Sequence, residues 1–373
     1  MNTQESMPTL CFNGSDFSSF IAFVKSMNAK EKSKYARIAL LHVENGRLVC
    51  RAIDEPNVVV EYCIDLFYCE KIISEQIAVS INDLAALIKC PSANDKFTIR
   101  YCNGQYEFNI VGDGWMPFKT VEVENDKFVI TSDISEIGIV NSVKLRNAIS
   151  CILGYTQDGI YARDKFIRFS NTKMVASCRQ SSVTMADNFV DVTLHRDEAT
   201  MLKSLLKDNF DLHVGKSNCD GIERLVFSGP KFKLSITASD IGDSDVDYIE
   251  NIEDYLTVDC DELIKLVTCA EEYSVSRKVV GMMIKNGKLQ VNVKNHLANQ
   301  SVSTIRSTMV GNLADTCEES EIPTSHLLKT LKMFQDKHSR EVSIYIADKM
   351  VSEQHNIVLF DNNTQAIINI HNR

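Results

Sequence analysis

Basic residues recur on the polar faces of six amphipathic segments. They are Lys89 on the second segment, Arg146 on the third, Lys203 and Lys207 on the fourth, Lys265 on the fifth, and Lys329 with Lys332 on the sixth. Lys25 and Lys30 flank the small-residue face of the first, made by Ser19, Ala22 and Ser26. Cationic groups held on helix faces reach phosphates, directly or through water, without reading bases. Contact of that kind is independent of sequence, weakens with salt and permits movement along a strand. The plain alternative is the solvated face of an ordinary surface helix.

Other chemistry finds little support. The chain has no Gly-x-x-x-x-Gly-Lys-Ser/Thr loop, no Gly-x-Gly-x-x-Gly and no His-Glu-x-x-His. Its eight histidines are dispersed, and His195 beside Arg196 reads as a capping or surface residue rather than a base. The 12 cysteines form no Cys-x-x-Cys pair, so they read as small buried hydrophobes in a reducing compartment rather than zinc ligands. Asp243, Asp245 and Asp247 mimic the start of a calcium loop, but Tyr248 stands where that loop needs glycine and Asp254 where it needs glutamate. No enzyme, metal or cofactor is therefore expected, although scattered carboxylates that meet in three dimensions as a nuclease site stay open.

The net charge of −10 taken alone argues against nucleic acid. Its distribution argues the other way, because the candidate helices are mildly basic and the remainder is strongly acidic. That segregation suits helices that meet a polyanion and an outer surface that repels one. No run of 18 apolar residues is present, so no membrane span is expected. The start, MNTQESMPTLCF, lacks the basic and apolar parts of a signal peptide, and a cytoplasmic location is the expectation.

Three copies of one phrase must position these bases. DFSSFIAFVKSMN leads to ARIALLHVENGRLVCRAID, SVKLRNAISCIL to GIYARDKFIRFSNTKMVASC, and DCDELIKLVTC to VGMMIKNGKLQVNVKN. A shorter helix follows in each copy: NDLAALIKC, RDEATMLKSLLKD and TSHLLKTLKMF. In the first, Asn82 or Asp83 is the expected cap. Asn45-Gly46, Asn103-Gly104 and Asn286-Gly287 mark tight hairpins, with Arg163-Asp164-Lys165 at the expected turn of the second copy. The copies are long enough to be whole domains, at 1–125, 126–252 and 253–373. Linkers run over about 112–126 and 240–254, the second rich in acids and free of bases. The fold class is α+β, each domain packing two helices on antiparallel sheets.

ALLHVENGRLVCRAID and GMMIKNGKLQVNVKN resemble the helix-to-hairpin pattern of the bacterial sliding clamp, the β subunit of the replicative DNA polymerase. FSNTKMVAS is similar in position to that family's Thr-Asp-Gly-His-Arg-Leu segment. The likeness covers the whole chain, with three departures. Lys173 and Met174 stand at the His-Arg pair, Asn369 to Arg373 replace the Met-Pro-Met-Arg-Leu tail, and Met116-Pro117-Phe118 is a loose form of the Phe-Pro signature. The chain thus reads as a divergent clamp, of bacterial or phage origin.

The resemblance implies a processivity factor that does no covalent chemistry, encircles duplex DNA and tethers a polymerase placed there by a clamp loader. Helix packing sets the ring size. Helices roughly 8–10 Å apart would close six axes into a ring only about 17 Å across. Twelve, from two chains, give about 35 Å and an opening of about 25 Å, which admits a duplex roughly 20 Å wide. A head-to-tail homodimer follows, with its repeat-one edge expected near Phe97 to Phe108. The resemblance places a partner-peptide pocket around Ser170, Thr172, Met174 and Val175, with Ile367, Ile370 and His371 from the C-terminal strand. The rival readings are a monomeric DNA polymerase accessory factor that does not encircle DNA, and a three-domain scaffold without a DNA role.

Overall fold

The computed structural model describes residues 9–27, 38–54, 58–69, 76–87, 96–110, 114–124, 128, 130, 133–156, 165–178, 181–219, 221–239, 251–273, 278–294, 300–316, 319–336, 339–347 and 355–370. Among them are six α-helices: α1 (Gly14–Met27), α2 (Ile81–Leu87), α3 (Ser142–Ile152), α4 (Arg196–Leu205), α5 (Cys260–Tyr273) and α6 (Thr324–Asp336). The expected repetition is visible in how they begin. Each of α1, α3 and α5 follows a strand whose last residue caps it. The Asn13 Oδ1 accepts the N–H groups of Ser15 and Asp16 at 2.8 and 3.2 Å. Asn141 does the same for Lys144 at 3.1 Å, and Asp259 for Glu262 at 2.8 Å. A side-chain oxygen at this position satisfies donors that the first turn leaves free, worth about 1 kcal/mol.

Each of these helices leads to a hairpin, and each hairpin's first strand accepts a further strand that runs into the second helix. Ile77–Ser80 pairs with Ile38–Glu44 before α2, Val192–His195 with Phe166–Phe169 before α4, and Ser320–Pro323 with Val279–Lys285 before α6. The Asn-Gly turns form as expected. Asn45, Asn103 and Asn286 all have φ of 51°, and the glycine after each is also positive, a conformation that asparagine and glycine tolerate.

The described strands pair antiparallel in three sheets of 12, nine and four strands. The largest arises because strand Phe232–Thr237 of the second repeat pairs with Val58–Cys69 of the first, from Phe232↔Tyr62 to Ile236↔Val58. Likewise Thr364–Ile370 of the third repeat pairs with Ser181–Ala186 of the second. Sheets that run through repeat junctions explain the compact units. One comprises residues 1–145 and 200–238, the other 146–199 and 239–373. The elements of the middle repeat are shared between them, so units of packing do not follow units of sequence.

Within the first unit, α1 lays Phe17, Phe20, Ile21, Val24 and Met27 against the sheet, all buried. Phe12, Phe17, Phe97 and Phe108 form a fully buried aromatic cluster, with ring centroids 5.0 Å apart for Phe12–Phe17 and 5.2 Å for Phe97–Phe108. Each such ring contributes about 1.5–3 kcal/mol by leaving water. A smaller cluster of Leu40, Ile53, Val59 and Ala78 is closed by Phe128, with Val123 and Ile130 beside it. In the second unit α5 and α6 pack together, Leu263, Val267, Leu327, Leu331 and Phe334 of the two helices are fully buried, and the Gln335 amide donates to Asp261 at 2.6 Å.

Several expectations need correction. The cap of α2 is Ser80, whose Oγ accepts the Asp83 N–H at 3.4 Å; Asn82 and Asp83 lie inside the helix. The hairpin of the second repeat turns at Ser170-Asn171-Thr172, between strands Phe166–Phe169 and Lys173–Cys178. Arg163 and Asp164 lie outside the described residues, as does most of the acidic linker. The first linker is structured: Met116–Phe118 pairs with Gln105–Ile110, and Val121 donates to the Ala78 carbonyl at 2.9 Å. The expected free edge near Phe97 to Phe108 is therefore covered over Tyr106 to Phe108, because the linker returns as an added strand.

Candidate nucleic-acid interface and partner groove

The apolar stripe of each helix decides where its bases point. Lys25 is exposed in the last turn of α1, where the helix dipole favours a cation. Arg146 on α3, Lys265 on α5 and Lys332 on α6 are exposed, each on a helix whose opposite side is buried. Lys203 is half-buried in the last turn of α4. Lys207 departs from its expected place. The helix ends at Leu205, and Lys207 lies beyond it, with Nζ 3.5 Å from the Ser19 hydroxyl on the small-residue face of α1. Lys30 and Lys89 lie outside the described residues.

Lys329 is held in place. Its stem packs on Gly154, where a Cβ would come within 2.9 Å of the Lys329 Cε, and its ammonium stands 5.7 Å from the centre of the Tyr155 ring. A side chain at 154 would make the flexible lysine stem shift, and the ring face attracts the charge. One turn earlier, burial and the neighbouring Lys329 push His326 below its ordinary value, so His326 is neutral near pH 7 and adds no charge to α6. At the start of α4, His195 Nδ1 accepts the Asp197 N–H at 3.2 Å, the capping role expected of it.

The residues expected to form a peptide pocket do not share one surface. In the nine-stranded sheet Val175 lies opposite Thr184, which lies opposite Gln365, so these three share a face with Ile367 two positions on. Met174 points to the other face with Ala176, Val183 and Ala366, and is fully buried in the core. Val175, Thr184, Gln365 and Ile367 are buried as well, at 8%, 4%, 6% and 3% exposure, so no open groove exists at these positions. The two accessible members are Ser170, whose hydroxyl donates to the Lys173 carbonyl at 3.0 Å, and Thr172, exposed at the turn. The Ile370 side chain and His371 lie outside the described residues.

Sequence reasoning missed a cleft of about 480 Å³ in the first unit. It lies where strand Phe232–Thr237 joins Val58–Cys69, and Glu44, Arg47, Val49, Cys63 and Lys233 are among its lining. Arg51 and Glu61 form an ion pair beside it at 2.8 Å, both largely buried. The signal was present in the alternation Arg47, Val49, Arg51, which places cations and an apolar residue on one face of a strand.

Among the described residues no cluster of three or more His, Cys, Asp or Glu side chains could hold a metal. Burial raises the Cys50 thiol well above its ordinary value, which suits an inert core cysteine. No described helix is long and apolar enough to cross a membrane.

No protein-family model matches the sequence, and no curated protein matches it. Solved structures do. The DNA polymerase III subunit β of Pseudomonas aeruginosa is similar with a TM-score of 0.79 at 14% identity, covering 98% of this chain and 100% of that one. The β subunit of Thermotoga maritima gives 0.78 at 13% identity over 98% and 100%. The β sliding clamp of C. crescentus gives 0.76 at 15% over 99% and 100%. At these identities the likeness is one of fold, and it runs from end to end: the chain has the fold of the DNA polymerase III β sliding clamp.

Proposed function

We propose that this chain is a DNA sliding clamp, a non-catalytic processivity factor that closes into a ring as a head-to-tail homodimer of three-domain chains. The observation that carries the reading is the end-to-end likeness of fold to DNA polymerase III β subunits. It is supported by exposed bases on helices whose other faces are buried, namely Lys25, Arg146, Lys265 and Lys332. Lysines and an arginine facing a duplex through water hold it without fixing register, as sliding requires. A polymerase and a clamp loader are the protein partners this reading implies. On this reading their contacts would fall at the Ser170–Thr172 turn, since Met174 and Val175 are buried. The protein would act in the cytoplasm, on the nucleoid or on phage DNA.

A monomeric accessory factor is the second reading. It is favoured by one observation, that strand Met116–Phe118 already occupies part of the sheet edge at which repeat one would meet a second chain.

The test combines mass in solution with retention on nicked circular DNA. The dimeric mass and retention that is lost when the circle is cut are the expected results. Changing Lys25, Arg146, Lys265 and Lys332 together to Glu should leave the fold intact, since all four are exposed. Retention should fall at least tenfold at low salt and by less at high salt, where charges are screened. A stable monomer at micromolar concentration rejects the ring, and unchanged retention across the salt series rejects these faces as the DNA surface.

A further inference from the structure

The first strand of each repeat can be compared residue by residue, because the caps of α1, α3 and α5 set the three in register. Thr9–Asn13, Ser135–Asn141 and Tyr255–Asp259 all end on the capping residue. One edge of each is filled in the same way, with Phe12↔Phe97, Val140↔Leu212 and Val258↔Val342 in matching places. The second edges differ. In the first repeat the end of Val58–Cys69 fills it, from Phe12↔Leu66 to Leu10↔Cys69. In the third Ser307–Val310 fills it, from Val258↔Ser307 to Tyr255↔Val310. Among the described residues Ser135–Asn141 pairs only with Asp211–Cys219, so its second edge is free.

The cause lies in the chain that follows each hairpin. In the first repeat one strand pairs with the hairpin and runs on to the first strand, and in the third Gln300–Ile305 and Ser307–Val310 divide that task. In the second repeat Ser181–Ala186 pairs with the hairpin and stops. Beyond it the Asp187 N–H donates to the Thr172 carbonyl at 3.0 Å and the Phe189 N–H to the Ser170 carbonyl at 3.3 Å. Phe189 is buried with its ring centroid 5.6 Å from that of Phe169. The segment that could fill the edge is thus bound to its own hairpin turn.

The free edge is apolar and unguarded. Ile139 is 53% exposed, whereas Cys11 and Thr257 at the same position are half-buried. On the core face Gly138 stands where Leu10 and Leu256 are buried. The strand has no lysine, arginine or proline, and its one acid, Glu136, is held by His213 at 2.7 Å. Edges exposed in nature usually carry such guards, and one without them is a template for another strand.

The two filled edges show what fits. Both occupants run antiparallel, and Leu66–Cys69 and Ser307–Val310 contain neither a charge nor a glycine. A second copy of Ser135–Asn141 would bring both, as Glu136 and Gly138. We propose that the free edge of Ser135–Asn141 is a strand-addition site for an uncharged, extended segment of a partner protein. The segment pairs antiparallel, with a β-branched residue opposite Ile139 and an aromatic residue covering Gly138. The site goes beyond the sliding-clamp reading and does not depend on it, because the strand and its paired neighbour lie in one compact unit.

The test uses the full chain and a fluorescein-labelled peptide, Thr-Val-Tyr-Val-Thr with one lysine at each end for solubility, read by anisotropy. Two further forms carry N-methyl groups on alternate residues, in complementary sets. Strand addition uses one edge of the peptide, so one set should weaken binding roughly tenfold or more and the other should leave it within about twofold. Bound peptide should slow amide exchange in Ser135–Asn141 and leave Thr9–Asn13, whose edges are filled, unchanged. Ile139→Lys should weaken binding about tenfold and Ile139→Val should retain it, with thermal midpoints at that of the parent because the side chain is exposed. Equal effects of the two methylated forms, absence of binding at millimolar peptide, or undiminished binding to Ile139→Lys would each overturn the proposal. A fall in the oligomeric mass of Ile139→Lys would assign the edge to a second copy and overturn it too. Retention of Ile139→Lys on nicked circular DNA should equal that of the parent, so the two readings fail separately.

Discussion

The two repeat junctions use the same backbone device. Five residue pairs join Phe232–Thr237 to Val58–Cys69, and five join Thr364–Ile370 to Ser181–Ala186. One face of each junction is core: Val60, Leu234 and Ile236 in the first, Val183, Ala366 and Ile368 in the second. The faces turned away from that core differ. The first carries Glu61 and Lys233 at one end, where it opens into a cleft, with Val59 and Ser235 buried beyond them. The second buries Thr184, Gln365 and Ile367. Hydrogen-bonded ladders fix how repeats join, because backbone donors and acceptors are the same in every copy. Alternate side chains are free of that constraint, so a repeated backbone can present unlike surfaces.

The strongest way to test this pairing is to weaken each junction from its core face. Leu234→Ala and Ile368→Ala each remove a fully buried side chain and should cost about 2–5 kcal/mol, read from urea midpoints. Amide exchange sharpens the comparison. Leu234→Ala should speed exchange in Val58–Cys69 and leave Ser181–Ala186 protected, and Ile368→Ala should do the reverse. Equal loss of protection in both strands for either variant would show that the junctions open as one cooperative element.

Exchanging charge between the outward faces should have a smaller effect of predictable direction. Glu61→Gln removes half of a largely buried ion pair and leaves Arg51 with a weaker acceptor, a loss of about 1–3 kcal/mol. Gln365→Glu places a carboxylate at a site with 6% exposure, and should cost a similar amount at pH 8 but little at pH 4, where the acid is neutral. A Gln365→Glu chain as stable at pH 8 as its parent would mean that the second junction is wetter than its burial indicates.

What could be read from sequence follows from the same physics. The stripe Phe17, Phe20, Ile21, Val24 and Met27 and the Asn-Gly turns are local signals, set by helical period and by φ, and they placed helices and hairpins. The whole-chain repeat then carried the architecture. Met174 and Val175 could not be assigned because both are buried in a sheet covered on two sides, where alternation of polarity vanishes. Ser170-Asn171-Thr172 is a weak hairpin signal, because the turn closed between Ser170 and Lys173 uses no glycine. Lys207 continues the period of α4, although the helix stops two residues earlier. The cleft at Lys233 joins hairpins distant in sequence, and only the ladder brings them together.

The helix starts extend the comparison from junctions to caps, and carry the smallest expected effect. Asn13, Asn141 and Asp259 cap the first helix of each repeat with one geometry. In α4 the polarity is reversed: Glu198, in the first turn, reaches back so that its Oε2 accepts the His195 N–H at 2.7 Å. Burial raises the Glu198 carboxyl from 4.5 to about 7; the His195 hydrogen bond opposes the shift and Asp197 adds to it. Between those values the folded chain keeps a proton that the unfolded chain has released. Stability from this group is therefore greatest below pH 4.5, falls as the pH rises through 7, and is level above. Glu198→Gln keeps an acceptor for His195 and cannot ionise. It should match the parent near pH 4 and exceed it at pH 8 by about 1–2 kcal/mol, less than the shift alone implies because the first turn can relax toward water. Urea midpoints at the two pH values give the answer. A variant less stable than the parent at pH 8 would show that burial does not penalise the Glu198 carboxylate and that it caps α4 better than a neutral acceptor.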